Sequence, residues 1–230
     1  MKKFVIAIDG PAASGKSTTA RLAAEKLGYL YIDTGAMYRA MTVKVLEHHL
    51  ELGDEESIVA LAERTRIELR QHENSLKVFL DNRDVTRAIR SQEVTRAVSA
   101  VSAIRKLREV MVREQRRIAK VGGVILEGRD IGTVVFPDAD LKIYMKANVE
   151  KRAMRRRQEL ALQSMDIALE DLVSDIRERD RKDSQRDVSP LRIARDAIVI
   201  DTSDLTIEEQ VDLIINKVEE IQMRHHERHR

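Results

Sequence analysis

Residues 4–17 read FVIAIDGPAASGKS, a short apolar run that ends in the spacing Gly-x-x-x-x-Gly-Lys-Ser of a phosphate-binding loop. Residues 4–8 have the pattern of a buried strand and residues 18–27 that of an amphipathic helix, which is the context such a loop requires. Glycines without a Cβ let backbone N–H groups approach a phosphate closely, and the following helix adds its positive N-terminal end. The stretch predicts a nucleoside triphosphate site rather than a chance glycine turn.

Two side chains of the loop have defined chemical tasks. Lys16 is expected to reach the terminal phosphates, and the Ser17 hydroxyl is expected to contact a magnesium ion. The predicted triphosphate-binding residues are Gly10, Pro11, Ala12, Ala13, Ser14, Gly15, Lys16, Ser17 and Thr18.

Composition limits the class of protein. The chain has 230 residues, enough for a substantial core, and a formal net charge of only +2, so it is not an obvious polyanion binder. It has no cysteine, which excludes disulfides and thiolate metal sites and fits a reducing compartment. No apolar stretch approaches the length of a membrane span or a signal sequence. We expect a soluble, cytoplasmic protein.

Strand and helix patterns alternate along the chain, which favours an α/β fold with a parallel sheet wrapped by helices. The predicted strands are residues 4–8, 30–32, 123–126, 140–145 and 197–200. The later predicted helices are residues 35–49, 57–64, 92–103, 104–121, 149–161, 169–181 and 207–223, the last with Thr206 as its N-cap.

One stretch interrupts this alternation. Residues 66–71, 76–80 and 84–85 resemble short antiparallel strands joined by tight turns. Such an insertion between helices predicts a substrate-side subdomain, and a surface hairpin without function is the alternative. No repeat or flexible linker interrupts the rest, so we expect one core with insertions.

Two further motifs follow predicted strands, at the edge of the sheet where ligands bind in α/β proteins. DTGAMYR at residues 33–39 offers Asp33 and Arg39, although Asp33 is alternatively a simple helix N-cap. EGRDIG at residues 127–132 offers Arg129 for a phosphate and Asp130 for an amine, although a salt bridge at a turn is an equal alternative.

Arginines are dense after residue 151 and alternate with aspartates. A solvated, salt-bridged helix pair is the usual explanation for such a run, and a mobile lid that neutralises a transferred phosphoryl group is the functional one. The arginines are Arg152, Arg155, Arg156, Arg157, Arg177, Arg179, Arg181 and Arg186.

The motifs IDGPAASGKS, DTGAMYR, EGRDIGT and RERDRKDSQR occur in this order, and with them the chain resembles bacterial cytidylate kinases, which are nucleoside monophosphate kinases. The resemblance runs from residue 4 to about residue 219. It implies a P-loop parallel sheet with an antiparallel β insertion and a helical lid. Residues 1–230 are then one kinase unit, with a monophosphate-binding subdomain at about 38–104, its β insertion at about 66–85, and a lid at about 152–188.

The resemblance also implies the activity and the substrates. The γ-phosphoryl group of ATP is transferred to CMP or dCMP with Mg²⁺, giving ADP and CDP or dCDP. We expect these nucleotides as the partners of a monomer that binds neither membranes nor nucleic acid. The sequence does not decide between CMP and dCMP.

By resemblance, Lys16, Arg129 and Arg186 are the catalytic residues, with Ser17 and Asp33 holding magnesium directly or through water. The acceptor-site residues implied are Thr34, Tyr38, Arg39 (phosphate), Ser99, Arg108 and Asp130 (cytosine), Arg129 (phosphate), Arg179 and Asp183 (sugar), and Arg186 (transferred group). Cytosine offers an amine to Asp130 where uracil has a carbonyl, so UMP is expected to be a poor substrate.

Other functions are weaker interpretations of the same residues. Another P-loop kinase, such as an adenylate or shikimate kinase, differs in its acceptor, and a GTPase lacks the expected Asp-x-x-Gly motif here. An RNA-binding module would need aromatic platforms, and aromatics are only 3%. His225 and His229 in the tail at 223–230 are spaced to hold a metal, although a frayed basic helix end is favoured.

Overall fold

The protein is described from a computed structural model, which covers residues 3–72, 75–162 and 165–227. The elements are β1 (Val5–Asp9), α1 (Lys16–Leu27), β2 (Leu30–Asp33), α2 (Thr34–Glu47), α3 (Glu55–Glu63), β3 (Ile67–His72), β4 (Ser75–Leu80), β5 (Arg83–Asp84), α4 (Gln92–Val101), α5 (Arg105–Ile118), β6 (Val124–Gly128), β7 (Leu141–Lys146), α6 (Val149–Ala161), α7 (Leu169–Gln185), β8 (Ile198–Asp201) and α8 (Ile207–Glu227).

The main sheet has five strands in the order β2-β6-β1-β7-β8. Strand β1 is parallel to both of its neighbours, with Asp9 opposite Gly128 of β6 and opposite Tyr144 of β7. Ile6, Ala7 and Ile8 are fully buried, as expected for a strand covered on both faces. The register therefore brings Asp9, the start of the phosphate loop and the residues after Gly128 to one edge of the sheet.

The chain divides into two compact units. The first contains the residues up to Tyr31 and those from Gly122 onward, and the second is Ile32–Val121. The predicted subdomain at 38–104 falls within the second unit, and the predicted lid at 152–188 falls within the first. Their functional assignments remain predictions.

In the first unit, α6 and α7 pack against each other around a small apolar core. Ala153 and Leu160 of α6 and Leu172 and Ile176 of α7 are buried together. Helix α8 packs on α1, and its start is capped reciprocally, because Thr206 Oγ1 accepts from the Glu209 N–H at 3.2 Å while Glu209 Oε2 accepts from the Thr206 N–H at 2.7 Å. Thr206 is confirmed as the N-cap.

The second unit contains α2 to α5 and an antiparallel sheet of β3, β4 and β5, which confirms the predicted β insertion. Ile67 is opposite Leu80, and Arg70 is opposite Lys77. The β4–β5 turn places Asp81 at φ 48° and Asn82 at φ 68°. Both residue types tolerate this left-handed conformation, which matches the twist of a tight hairpin.

The predicted elements are present, with shifted ends. All five strands of the main sheet extend at least one residue further than predicted and end at a polar residue or glycine. A parallel ladder continues past the last apolar side chain, because its hydrogen bonds depend on the backbone alone. The helix predicted at 104–121 ends at Ile118 and continues as a 3₁₀ turn, Ala119–Val121.

Two further predictions concern membrane-spanning helices and the C-terminal tail. In the ranges that the structure covers, none of the helices has the length and hydropathy needed to cross a bilayer. Helix α8 continues to Glu227, past the predicted residue 223, and the His225 ring meets Phe4 edge-on with centroids 6.1 Å apart. His229, the second predicted metal ligand of the tail, lies outside the described residues.

Candidate active site

The phosphate loop forms a backbone cradle that two glycines make possible. A Cβ at Gly10 would lie 2.1 Å from the Met145 carbonyl oxygen, and a Cβ at Gly15 would lie 2.9 Å from Gln210 Oε1. Gly15 also has a φ of +91°, in the left-handed region. Only glycine therefore fits at these two positions, and Gly15 leads directly into the N-terminus of α1.

The neighbouring elements hold the loop from outside. Thr202 Oγ1, after β8, donates to the Ser14 carbonyl at 2.7 Å. Gln210 of α8 accepts from Thr19 Oγ1 at 2.8 Å and donates to the Leu205 carbonyl at 3.0 Å. Both Thr202 and Gln210 are buried. These contacts fix the loop before any nucleotide binds.

Lys16 is buried at the first turn of α1. Its Nζ donates to the Pro11 carbonyl at 3.2 Å and lies 3.7 Å from Glu127 Oε2 at the end of β6. Glu127 in turn accepts from the Tyr31 hydroxyl at 2.5 Å. The ammonium is therefore placed across the loop, where a triphosphate would meet it.

Ser17 and Thr18 follow Lys16 and are exposed. The Ser17 hydroxyl fits magnesium, because it is an uncharged oxygen ligand at the end of a cradle built for phosphates, which themselves bind the ion. No group of three or more His, Asp or Glu side chains gathers into a metal site within the described ranges.

Arg129 and Asp183 form a buried ion pair, with Arg129 Nε 2.8 Å from Asp183 Oδ2. Burial alone would raise the pKa of Asp183, but the charge and hydrogen bond of Arg129, with the charges of Arg186 and Arg179, lower it below its usual value. Burial likewise would lower the pKa of Arg129, and Asp183 raises it. Arg129 thus pairs with α7 and not with its neighbour Asp130.

Asp130 is buried and directly precedes the helical turn Ile131–Val135. Arg186 follows α7, where it donates to the Ser189 carbonyl at 3.1 Å and lies 4.0 Å from Asp183. The first unit therefore brings together Arg129, Asp183, Arg179 and Arg186, and their separate roles remain predictions.

The arginines of α6 and α7 make two kinds of contact. Arg152 is buried, pairs with Asp180 through both terminal nitrogens at 3.1 and 2.6 Å, and donates to the Ala12 carbonyl of the loop at 3.2 Å. Arg155 donates to the Thr202 carbonyl and, at 3.2 Å, to Thr202 Oγ1. Exposed pairs include Arg156–Glu159, Arg157–Asp166, Arg177–Glu150 and Arg181–Glu178.

In the second unit, Asp33 is the N-cap of α2, since its Oδ1 accepts from the Ala36 N–H at 2.8 Å. This contact is the alternative explanation of Asp33, and its magnesium role remains a prediction. Thr34 and Tyr38 are buried on the same helix. Arg39 donates to the Ile89 carbonyl at 3.3 Å and to Thr95 Oγ1 at 3.1 Å.

Arg108 of α5 lies over the Tyr38 ring, with its central carbon 5.1 Å from the ring centroid. It is buried and donates to the Ser102 carbonyl at 2.9 Å. Ser102 Oγ donates to the carbonyl of Ser99, which is half-buried on α4. The second unit therefore places Tyr38 beside Arg108, and Ser99 one hydrogen-bonded turn away.

The sequence profile of the cytidylate kinase family matches residues 6–220. A cytidylate kinase of Bacillus subtilis (strain 168) is 49% identical over 219 residues, covering 95% of this chain and 98% of the relative. One from Geobacillus sp. (strain WCH70) is 52% identical over 215 residues, covering 94% and 96%.

The chain belongs to the cytidylate kinase family. The predicted P-loop kinase fold is confirmed as well. A shikimate kinase from Bacteroides thetaiotaomicron superposes with a TM-score of 0.50 at 12% identity, covering 95% of this chain and 99% of that one. At this identity the likeness concerns the fold alone, so the acceptor is judged from the cytidylate kinase family.

The structure adds two acidic residues that the sequence did not indicate for this member of the cytidylate kinase family. Glu127 lies beside Lys16, and Asp9 accepts from the backbone N–H groups of Ile131 and Gly132. Burial raises the pKa of Asp9 to about 6, against the effect of the two hydrogen bonds. Asp9 ends β1 and Glu127 is the last residue but one of β6, and a carboxylate at the end of a buried strand was the available signal.

Proposed function

We propose that this chain transfers the γ-phosphoryl group of ATP to CMP or dCMP, and that the phosphate loop, Lys16 and the arginines of the first unit carry out the transfer. An oxygen of the acceptor phosphate attacks the γ-phosphorus, the bond to the bridging oxygen breaks, and ADP leaves. The observation that carries the proposal is a cradle with Lys16 across it in a member of the cytidylate kinase family.

On the donor side, the backbone N–H groups of residues 10–18, Pro11 excepted, surround the phosphates, and Lys16 exchanges its contact with Pro11 for phosphate oxygens. Ser17 holds magnesium, with Asp33 as a further candidate ligand, directly or through water. When bound, the ion neutralises charge on the phosphates. The acceptor phosphate is already anionic, so alignment and charge neutralisation are the protein's work, and no general base is needed.

On the acceptor side, Asp130 accepts the hydrogen bond of the cytosine amine. Uracil would direct a carbonyl oxygen at this buried carboxylate, and a good hydrogen-bond pair discriminates by about 1–3 kcal/mol. Leaving the carboxylate without its donor makes the rejection larger.

The remaining roles are proposed from the resemblance, residue by residue. Arg39 and Arg129 contact the acceptor phosphate, Ser99 and Arg108 contact the base, and Arg179 and Asp183 contact the sugar. Thr34 and Tyr38 shape the site. Asp183 stays ionised at neutral pH, because its pKa is lowered, and so it can accept from a sugar hydroxyl.

Helices α6 and α7 are proposed as the lid. Their own apolar core lets them move as a pair, while Arg186 neutralises charge on the transferred group. Closure would exclude water and so suppress hydrolysis of ATP. A monomeric state and a cytoplasmic location remain predictions.

The test is a coupled ADP-release assay with Mg²⁺ and ATP, in which CMP, dCMP, UMP, AMP and shikimate are compared as acceptors. We expect turnover with CMP and dCMP and little with the other three. A preference for AMP or shikimate would contradict the proposal, and so would the absence of any cytidine diphosphate product.

A further inference from the structure

Asp9 lies at the carboxyl end of β1, directly before the phosphate loop, but its side chain contacts a different segment. Oδ1 accepts from the Ile131 N–H and Oδ2 from the Gly132 N–H, each at 2.8 Å. Asp9 is only 4% exposed, so this carboxylate is committed to two backbone donors that are more than a hundred residues away in sequence.

The two donors belong to the turn Ile131–Val135, which begins right after Asp130. The first N–H groups of a helical turn have no partner within it and need an acceptor from elsewhere. An Asp at the N-cap position commonly supplies that acceptor with its own side chain. Asp130 occupies the position and makes no such bond, because Asp9 supplies both acceptors from β1.

We propose that Asp9 is a positioning residue for base recognition. By capping the turn from β1, it fixes the backbone that carries Asp130 at a constant distance from the phosphate loop. The inference rests on the proposed function, since it concerns how Asp130 discriminates between cytosine and uracil.

Two substitutions at residue 9 would disturb this arrangement in different ways. Asp9→Asn keeps the size but has one acceptor oxygen, so its NH₂ group would face one of the two N–H donors. Asp9→Glu keeps the charge but adds a methylene where space is short. Both oxygens of Asp9 already accept at 2.8 Å, so the longer side chain can keep the two bonds only if the turn moves.

The chain offers a matched control at the opposite end of the same strand. Asp140 Oδ2 accepts from the Val5 N–H at 2.8 Å, which is the same kind of carboxylate-to-backbone bond. Asp140→Asn is therefore expected to cost stability without affecting the turn that carries Asp130.

The experiment measures kcat/KM for CMP and for UMP, with the concentration of folded enzyme determined separately. Asp130→Ala gives the ratio expected when the base-reading carboxylate is lost. Asp9→Asn should lower the CMP-to-UMP ratio about tenfold or more, toward that of Asp130→Ala, while Asp140→Asn keeps the wild-type ratio. A folded Asp9→Asn variant with the wild-type ratio would overturn the proposal.

If Asp9→Asn does not fold, Asp9→Glu is the deciding variant, and it too must lower the ratio; a wild-type ratio in that variant rejects the positioning role. The two levels of inference fail separately. Wild-type enzyme that makes no cytidine diphosphate refutes the proposed function, whereas a selective wild type with an equally selective Asp9 variant refutes only the role of Asp9.

Discussion

Lys16 illustrates how a single side chain carries the donor site. Its ammonium lies across the loop, 3.2 Å from the Pro11 carbonyl, and no other lysine belongs to the cradle sequence. Lys16→Ala removes the positive charge that meets the terminal phosphates, so kcat should fall by about two orders of magnitude or more in the coupled assay.

A lysine at the far end of α1 serves as the control for Lys16. Lys26 is exposed and pairs with Asp212 at 3.1 Å, so Lys26→Ala should leave kcat near the wild-type value. If Lys16→Ala retained near-normal kinetics, the loop would not be the donor site.

Asp9 also has consequences for stability. Burial raises its pKa from 3.8 to about 6 in the folded protein, so the folded state holds this proton more tightly than the unfolded state does. The stabilisation is complete below the unfolded pKa and is lost as the pH rises through the folded value. Asp9→Asn should therefore lower the free energy of unfolding, relative to wild type, more at about pH 4 than at about pH 7. The loss at the two pH values should differ by roughly 2 kcal/mol, measured by urea unfolding.

The other carboxylates titrate in both proteins, so their contributions cancel when the free energies of unfolding of wild type and Asp9→Asn are subtracted. Several of them act in the opposite direction, since the pKa of Asp183 and that of Glu178 are lowered in the fold. A destabilisation by Asp9→Asn that stayed constant or grew with pH would show that Asp9 is already ionised at acidic pH.

Single residues also mark the limit of what the sequence could predict. Gly10, Gly15, Lys16 and Ser17 follow from local spacing, because the loop is continuous in the chain. The partners of Arg129 and Asp9 do not, because both contacts join segments that only the register of the sheet or the packing of α7 brings together. A salt bridge between Arg129 and its neighbour was one of two interpretations of the sequence, and the fold pairs Arg129 with Asp183.

At the scale of elements, the helix pair α6 and α7 separates buried charge from surface charge. Arg152 is 7% exposed at its side chain, whereas Arg156, four residues on, is 39% exposed. Replacing Arg152 by Met would leave Asp180 and the Ala12 and Ala147 carbonyls without this donor. We expect Arg152→Met to lower the free energy of unfolding by about 2–4 kcal/mol.

Arg156→Met is the matched control on the same helix. Its pair with Glu159 is solvated, so the free energy of unfolding should change by less than about 0.5 kcal/mol. Equal effects of the two substitutions would contradict the view that Arg152, and not Arg156, joins α6 to the loop. The sequence identified both arginines, but four-residue spacing could not show which of them is buried.

Strand ends show the same limit at the level of elements. The apolar pattern predicted where the five strands of the main sheet lie, but it ended each of them early, before Asp9, Asp33, Gly128, Lys146 and Asp201. These terminal positions matter most for function, because the carboxyl edge of a parallel sheet is where ligands bind. A pattern based on hydrophobicity therefore ends just before the polar or glycine residues at the carboxyl edge of the sheet.

At the scale of the whole molecule, the chain divides into two compact units, and the phosphate loop belongs entirely to the first. Loop residues and their supporting contacts from Thr202 and Gln210 are close in space but distant in sequence. A nucleotide that binds this loop should therefore stabilise the first unit as a whole, including β8 and α8.

ATP binding should appear as a thermal shift even without an acceptor. With free Mg²⁺·ATP at about a hundred times its dissociation constant, linkage stabilises the folded state by about 2.7 kcal/mol. For a chain of this size that corresponds to a rise in Tm of about 5–10 °C.

If the two units unfold in separate transitions, the shift should belong to the transition that contains α8. Measured from its own unliganded Tm, Lys16→Ala should lose most of the shift, and excess EDTA should reduce the wild-type shift. A wild-type Tm insensitive to ATP would show that the cradle does not bind the triphosphate, independently of any turnover measurement.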